Sequence, residues 1–317
     1  MMDWTDRHCR YFHRQLSSHA RLYTEMITTG ALLQGDGARH LRHDDSEHPL
    51  ALQLGGSEPD ELARAARMGA AAGFSEINLN CGCPSERVQR GAFGACLMAE
   101  PALVADCVKS MLDAVDVPVT VKHRIGIDRT EDYAFVRDFV GALHDAGCEV
   151  FIVHARNAWL HGLSPRENRE VPPLRYAIVH QLKRDFAGAK FVLNGGLATL
   201  DAAIAEAAGL DGVMLGRAAY HDPYLLSRVD ALMFDDPMPA PTRAEVVARM
   251  SLYLEREVRD GAAPRQVVRH MHGLFHGLQG ARRWRRLLGD AASHDAAGAG
   301  ILQLALSEVE RPLRAAA

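Results

Sequence analysis

The stretch that decides the fold is residues 76–84, which read EINLNCGCP. It is a short run rich in apolar side chains, and it ends in a turn that contains glycine and proline. This combination is the usual sign of a buried strand and its end. A helical pattern follows at residues 101–115, where Pro101 stands at a plausible first helical position. A strand, a turn and a helix in this order predict one unit of a parallel sheet.

The same unit recurs along the chain. Further short apolar runs predict strands at residues 22–25, 50–54, 117–122, 150–154, 190–194 and 212–216. Helical patterns separate them at residues 58–72, 131–146, 174–186 and 199–208. These seven strands are close to the eight of a TIM (β/α)8 barrel. One strand is missing, because a helical pattern already begins at Asp6. We therefore predict an α/β TIM barrel whose first strand is truncated.

The end of the barrel is marked by prolines within residues 237–241. Directly after them, Thr242 and Glu245 read as a capping box that opens a new helix. From there the pattern is helical. The sequence thus predicts a catalytic barrel domain at residues 1–236 and a C-terminal helical domain at residues 242–317.

The bulk composition is that of an ordinary globular protein, with 317 residues, 48% hydrophobic, 24% charged and a net charge of −4. No stretch approaches the roughly 18 apolar residues of a membrane span, and the N-terminus does not read as a signal peptide. We expect a cytoplasmic protein with no membrane partner. The six cysteines lack the paired spacing of a zinc site, so reduced thiols and no metal are expected. With no second hydrophobic seam, a monomer is favoured.

Polar side chains stand at the ends of the predicted strands, where TIM barrels carry their catalytic groups. They are Gln53, Asn78, Asn80, Lys122, His154, Asn194 and Arg217. Packing of a core does not require polar groups there. Gly195, Gly196 and Gly216 would let backbone N–H groups approach a ligand, in the loops that usually hold phosphate in this fold. Two plain strand-to-helix turns are the alternative.

Two of these candidates, Lys122 and His154, allow more than one interpretation, and so does Cys81 in the turn after the strand at 76–80. Lys122 suits a Schiff-base nucleophile, a flavin contact or a snorkelling surface residue. A single histidine at a strand end, such as His154, is more often structural than functional. A thiol in an apolar pocket stays protonated and can serve as a general acid. For Cys81, buried packing is the better interpretation.

Several short motifs are specific as a set, although none is specific alone. They are NLNCGCPS at 78–85, GACL at 94–97, VKHRIG at 121–126, VHAR at 153–156 and NGG at 194–196. Together they resemble the tRNA-dihydrouridine synthases, over nearly the whole chain. Three more motifs point to the A-type subfamily, namely EMITTG at 25–30, LSPRENR at 163–169 and RHM at 269–271.

The resemblance implies an FMN-dependent enzyme that uses NADPH to reduce uridine to 5,6-dihydrouridine at positions 20 and 20a of the tRNA D-loop. It implies that hydride from the reduced flavin reaches carbon 6 and that Cys83 gives a proton to carbon 5. Asn80 would position flavin and substrate. The positions that match flavin contacts are Met1, Gln53, Lys122, His154, Asn194, Gly195, Gly196, Gly216 and Arg217.

The resemblance also assigns tRNA contacts to Arg166, Arg169 and the helical domain. In that domain, residues 265–286 contain six arginines and no Asp or Glu. A solvated helix face explains most charge runs, but the lack of any acid favours a binding surface. Arg269, Arg282 and Arg283 are therefore candidate tRNA contacts.

Other functions remain open at this point. A flavin-dependent dehydrogenase of free pyrimidines, similar to dihydroorotate dehydrogenase, would share the barrel but not need a basic helical domain. A Schiff-base aldolase that uses Lys122 and a non-catalytic tRNA-binding protein are further alternatives. Because relatives of the family carry an apolar strand before the residue that matches Met1, we expect the start of this chain to be truncated or misassigned.

Overall fold

The structure is a computed structural model that describes residues 1–310, with only the backbone of Asp295. Its strands are β1 (Leu22–Thr28), β2 (Leu50–Gly55), β3 (Glu76–Cys81), β4 (Val119–Arg124), β5 (Val150–His154), β6 (Lys190–Asn194) and β7 (Gly212–Met214). They form one sheet in chain order, and each neighbouring pair from β2 to β7 is parallel. Helices follow the strands in the alternation of a TIM barrel, so the predicted fold class is confirmed.

The helices that follow the strands, or precede the first one, are mostly short. They are α1 (Arg7–Arg14), α2 (Thr29–Leu33), α3 (Gly37–Leu41), α4 (Pro59–Ala71), α5 (Glu86–Arg90), α6 (Pro101–Leu112), α7 (Tyr133–Asp145), α8 (Tyr176–Asp185), α9 (Leu200–Glu206), α10 (Arg217–His221) and α11 (Val229–Met233). The C-terminal helices are α12 (Arg243–Arg259), α13 (Pro264–Val268), α14 (Ala281–Gly289), α15 (Ala291–Ala297) and α16 (Ile301–Glu310). Short 3₁₀ segments lie at Asp45–Glu47, Gly94–Ala99, Glu167–Arg169, Pro223–Arg228, Arg269–Met271 and Gly298–Gly300.

The predicted strands agree closely with the observed ones. β5 and β6 match residue for residue, while β4 begins at Val119, two positions later than predicted. Pro118, which has no N–H to donate to a ladder, lies just outside β4, and its carbonyl accepts from the N–H of Ile77 at 2.9 Å. β7 ends at Met214, before the predicted Gly216.

The two faces of the sheet differ in polarity. One face packs against helices, as at Gly69 of α4, where an added Cβ would lie 2.5 Å from a methyl of Leu52 and 2.8 Å from one of Ile77. The opposite face carries polar side chains that hydrogen-bond across strands, among them Gln53 and Asn78 at 2.8 Å. The polar face can therefore hold functional side chains, which a purely apolar core could not.

The chain divides into two compact units. The first contains Met1, Tyr23–His43 and His48–Gly216, and the second contains Met2–Leu22, Asp44–Glu47 and the residues from Arg217 onward. This grouping differs from the predicted domains, 1–236 and 242–317, which stay a prediction. Of the second predicted domain, residues 311–317 lie outside the described residues.

The second unit joins the N-terminal helix to the C-terminal ones. His8 Nδ1 lies 2.8 Å from the hydroxyl of Tyr253 in α12, and Tyr11 stacks on the same ring at 3.9 Å. Arg7 pairs with the buried Glu257 at 2.5 Å. The predicted capping box at Thr242 and Glu245 is present. Within residues 1–310, we find no helix long and apolar enough to cross a bilayer. Cytoplasmic location and a monomeric state stay predictions.

Candidate active site at the carboxyl ends of the strands

Cys83 lies in the loop that leaves β3. Its backbone N–H donates to Asn80 Oδ1 at 3.0 Å, and its Sγ lies 3.6 Å from Ser85 Oγ. Its carbonyl accepts from the N–H of Ala95 at 2.9 Å. Gly94, with φ of +78°, passes so close that an added Cβ would be 2.6 Å from that carbonyl. The thiol is therefore held by a loop fixed on both sides, and it is partly exposed.

Cys81 is placed differently, although only one residue separates it from Cys83. It ends β3 with no exposed surface, on the face that packs toward helices. Burial raises the pKa of the Cys81 thiol well above its usual range. The packing interpretation of Cys81 is thus confirmed.

Lys122 and Asn194 connect β4 to β6 at the same end of the sheet. Lys122 Nζ donates to Asn194 Oδ1 at 3.2 Å, and Asn194 Nδ2 donates to the carbonyl of Met214 at 2.7 Å. Desolvation lowers the pKa of Lys122 to about 8; Arg124 lowers it further, and Cys83 opposes the change. Lys122 is in register with Asn80, three residues before Cys83, and a pKa of about 8 leaves it mostly charged at neutral pH.

His154 and the two glycines after β6 are packed against each other. His154 is buried and registers with Asn194 in the ladder. Gly195 has φ of +113°, and an added Cβ would be 2.6 Å from the His154 ring. Gly196 has φ of +69°, and its added Cβ would be 2.4 Å from Leu174. Only glycine fits both positions, because left-handed φ and lack of space each exclude a side chain.

The remaining predicted cofactor positions fall in two places. Gly216 follows β7, and an added Cβ there would lie 3.3 Å from the sulfur of Met1. Met1 and Gly216 thus belong together in the first compact unit. Arg217 begins α10 and is grouped with the second unit.

Arg124 lies at this end of the sheet but was not among the predicted site residues. It ends β4, is almost fully buried, and donates from Nε to the carbonyl of Gly82 at 3.1 Å. Its Nη1 donates to the carbonyls of Asn157 at 3.2 Å and Asn168 at 2.9 Å. Arg124 therefore ties the loop before Cys83 to the loops after β5. Its position beside Lys122 in a strand-end motif was the signal that could have revealed it.

The environment of Arg124 is electropositive. Desolvation lowers its pKa to about 9, Cys83 opposes the change, and Arg169 and Arg156 lower it further. His123 stabilises the same strand end, since its Nδ1 lies 2.6 Å from the Arg124 carbonyl and must donate to it. Burial lowers the pKa of His123 to about 4, so this ring is neutral at physiological pH. Such a surrounding favours an anionic ligand near Cys83.

The predicted tRNA-contacting arginines of the first unit are exposed. Arg166 precedes the 3₁₀ turn at Glu167–Arg169 and Arg169 ends it, and Arg166 lies 3.9 Å from Glu170. The turn is anchored by the buried Asn168, whose Oδ1 accepts from the N–H of Trp159 at 2.7 Å. The loop thus presents charge on a fixed backbone.

The basic segment of the second unit is divided between two local structures. In α14, Trp284 is buried and donates to the carbonyl of Met271 at 2.8 Å, whereas Arg282 is exposed and Arg283 is half-buried. Arg269 instead pairs with Asp6 at 2.6 Å, beside His270. Three of the five exposed arginines of this segment, Arg282, Arg285 and Arg286, thus lie on α14, and Arg269 is partly committed to its pair with Asp6.

The second unit also contains a cluster of one histidine and two aspartates. Single ligand atoms of His19, Asp230 and Asp236 lie within 4.8 Å of one another. Asp230 already accepts from the hydroxyl of Ser17 and, at 2.6 Å, from the N–H of Ser18. The prediction that no metal binds stays a prediction.

Together these observations define a class: a parallel barrel enzyme with a thiol, a lysine, a histidine and a glycine cradle at the carboxyl ends of its strands. The chain matches the dihydrouridine synthase family over residues 1–310. It belongs to this family.

Individual relatives extend the match over nearly the whole chain. The tRNA-dihydrouridine(20/20a) synthase of Pseudomonas aeruginosa is 60% identical over 288 residues, which cover 91% of this chain and 87% of the relative. The protein of the same name from Vibrio parahaemolyticus is 52% identical over 314 residues, 99% of this chain and 96% of the relative. That of Yersinia pestis is 52% identical over 98% of this chain and 90% of its own length.

Proposed function

We propose that this protein is a tRNA-dihydrouridine synthase that reduces uridine to 5,6-dihydrouridine at positions 20 and 20a of the tRNA D-loop, with FMN as cofactor and NADPH as reductant. The family match and relatives of this name at 52–60% identity support the reaction and the substrate. The observation that carries the proposal is that Lys122, which pairs in register with Asn80, and Arg124, which donates to the carbonyl of Gly82, adjoin the loop that bears Cys83 at one end of the sheet.

The residues present suit a flavin mononucleotide. Gly195 and Gly196 hold the turn after β6 at positive φ, packed against His154 and Leu174, and backbone N–H groups of a glycine turn at a strand end can bind phosphate. Gln53 and Asn194 offer amide groups, His154 an imidazole and Lys122 a cation suited to a ring that gains negative charge. We assign these residues, with Met1 and Gly216 of the same compact unit, to the cofactor, and a contact by Arg217 stays a prediction. When bound, the flavin supplies the hydride that carbon 6 of uracil receives.

The protein itself supplies the proton and the orientation. The Cys83 thiol carries a proton that it can give to carbon 5, while Asn80 fixes the loop through the Cys83 N–H. Arg124 holds the same loop from the other side, through the carbonyl of Gly82, and Lys122 is the cation at this end of the sheet that would stabilise negative charge developing in the site. A stacked base cannot reach a thiol in this loop, so the uridine must be turned out of the RNA stack.

Recognition of tRNA rests on arginines in both units. We assign phosphate contacts to Arg166 and Arg169 near the site, and to Arg282 and Arg283 of α14, with a smaller part for the ion-paired Arg269. Phosphate contacts give affinity without sequence information. The choice of uridine must therefore depend on tRNA shape and on the loops around Cys83.

The direct test compares two neighbouring thiols. Cys83→Ala should lower dihydrouridine formation roughly 10²–10⁴-fold, the usual contribution of a positioned acid. The matched control is Cys81→Ala. Only Gly82 separates Cys81 from Cys83, but the side chain of Cys81 is fully buried. Activity is measured by mass spectrometry of unmodified tRNA after incubation with FMN and NADPH. Normal turnover by Cys83→Ala would refute Cys83 as the proton donor. Reduction of free uridine but not of tRNA would refute tRNA as the substrate.

A further inference from the structure

A continuous chain of buried hydrogen bonds runs through the polar face of the sheet to the Cys83 loop. It begins at Glu76, the first residue of β3, which is 1% exposed. Glu76 Oε1 accepts from the hydroxyls of Tyr23 and Thr120, each at 2.7 Å. Neither Glu76 nor Thr120 stands at the carboxyl end of its strand, where the site residues lie.

From Thr120 the chain passes through three amides. Asn78 Nδ2 donates to Thr120 Oγ1 at 2.8 Å, and Gln53 Nε2 donates to Asn78 Oδ1 at 2.8 Å. Asn80 Nδ2 then donates to Gln53 Oε1 at 2.9 Å. Asn80 Oδ1 accepts from the N–H of Cys83 at 3.0 Å and from that of Gly82 at 3.1 Å. Asn78 and Thr120 have no exposed surface, and Gln53 and Asn80 are buried.

The direction of every bond in this chain follows from its two ends. At the upper end, the peptide N–H groups of Gly82 and Cys83 can only donate, so Asn80 must turn its oxygen toward them. At the lower end, the Glu76 carboxylate can only accept, so Thr120 must donate to it and is left to accept from Asn78. Gln53, between Asn78 and Asn80, then has a single consistent orientation. Reversing any amide would set donor against donor inside the protein, where an unmade hydrogen bond is costly.

We propose that Glu76, Asn78 and Thr120 are positioning residues that fix the amide orientation of Gln53 and Asn80. The inference rests on the proposed function, since it takes Gln53 and Asn80 as ligand contacts. When all of these hydrogen bonds are made, one side-chain N–H of Asn80 and one of Gln53 are left to bind a ligand. A carboxylate near the start of β3 thus reinforces, through Thr120 and Asn78, the amide orientation that the Gly82 and Cys83 N–H groups require at the other end of the strand.

The competing explanation is that these residues only fill the interior. Two substitutions of Thr120 separate the two roles. Thr120→Val keeps the volume and removes the hydroxyl, whereas Thr120→Ser keeps the hydroxyl and removes a methyl. A packing role makes the serine variant the worse one, because it leaves a cavity. The positioning role makes the valine variant the worse one.

The experiment measures the dissociation constant for FMN by fluorescence titration of the flavin-free full-length protein. Thr120→Val should raise this constant about tenfold, the size expected when a net hydrogen bond is lost, and Thr120→Ser by less than about threefold. Glu76→Gln, which keeps the shape but can also donate, should likewise weaken FMN binding. Tyr23→Phe removes a donor to Glu76 without interrupting the chain, and should leave FMN affinity within about twofold.

The outcomes distinguish this inference from the proposed function. If the wild-type protein binds no FMN, the proposed function fails. If the wild-type protein binds FMN but Thr120→Val binds it as well as Thr120→Ser, or better, the positioning role is wrong. Circular dichroism establishes that each variant is folded. Should Thr120→Val fail to fold, the near-isosteric Glu76→Gln decides: wild-type FMN affinity in that variant overturns the proposal.

Discussion

At the scale of single residues, neighbouring positions of one motif differ sharply in environment. Cys81 and Cys83 flank Gly82, yet the first is fully buried among helices and the second lies partly exposed in a loop. The reason is that Cys81 is still a strand residue whose side chain faces outward from the sheet, whereas the chain turns at Gly82. The reactivity of the two thiols should differ accordingly.

Alkylation provides the corresponding prediction. Iodoacetamide at pH 8 should modify Cys83, and more slowly the half-buried Cys96, whose pKa burial raises. Cys81 should stay unmodified in the folded protein, since burial both shields it and raises its pKa. Peptide mass spectrometry at successive times gives the order. Modification of Cys81 before Cys83 would contradict the described placement of both thiols.

Lys122 predicts a pH dependence of cofactor binding. Its pKa is lowered to about 8, so the ammonium is present below that pH and lost above it. Binding that needs the charge should weaken as pH rises, and the FMN dissociation constant should increase about tenfold from pH 7 to 9. Lys122→Arg has a higher intrinsic pKa, so its FMN affinity should fall less over this range. A flat profile in the wild-type protein would exclude a role of this charge in binding.

At the scale of elements, the turn after β6 combines backbone conformation with close packing. Gly195 and Gly196 both have positive φ, and both approach the side chains that surround them closely. The hydroxyl of Tyr176 in α8 also donates to the carbonyl of Gly195 at 2.6 Å. The turn therefore holds its backbone in one conformation before any ligand arrives.

Two alanine substitutions separate conformation from crowding. Gly209 also has positive φ, at +83°, but no atom lies within 4 Å of an added Cβ. Gly209→Ala should destabilise the protein by roughly 1–2 kcal/mol, the penalty of the left-handed conformation alone. Gly196→Ala adds a clash with Leu174, so it should have a lower melting temperature and also weaker FMN binding. Equal melting temperatures of the two variants, with FMN binding unchanged in Gly196→Ala, would show that the turn is not crowded.

At the scale of the whole molecule, charge matters by its distribution, since the net charge is only −4. On α14 the buried side chains Trp284 and Leu288 fix which face is apolar, and Arg282, Arg285 and Arg286 are exposed. A basic helix face of this kind suits the phosphate backbone of RNA.

Salt dependence tests this surface. Arg282→Ala combined with Arg283→Ala should raise the dissociation constant for tRNA and reduce the slope of log affinity against log salt by roughly 1–2. The control pair is Arg64→Ala with Arg67→Ala, two exposed arginines on α4 of the first unit. Electrophoretic mobility shifts at several salt concentrations give both slopes. An unchanged slope for the α14 variant, or the same loss in the control, would remove the assigned phosphate role.

The features that could be predicted from the sequence are those that depend on residues close together in the chain. Strand and helix positions, the turn glycines and the capping box at Thr242 were predictable, because they follow from side-chain period and from residues only a few positions apart. The placement of Asn80, Lys122, His154 and Asn194 at one end of the sheet also followed, since parallel strands bring their carboxyl ends to one edge.

What the tertiary structure alone decided are contacts between residues far apart in the chain. Arg124 reaches the carbonyl of Asn168 across 44 positions, and His8 reaches Tyr253 across 245. The series of hydrogen bonds from Glu76 to Cys83 likewise depends on the register of three strands. The periodic pattern of apolar residues in the sequence does not encode that register. Local patterns determine which elements form, whereas the partner of each buried polar group is settled only when those elements pack together.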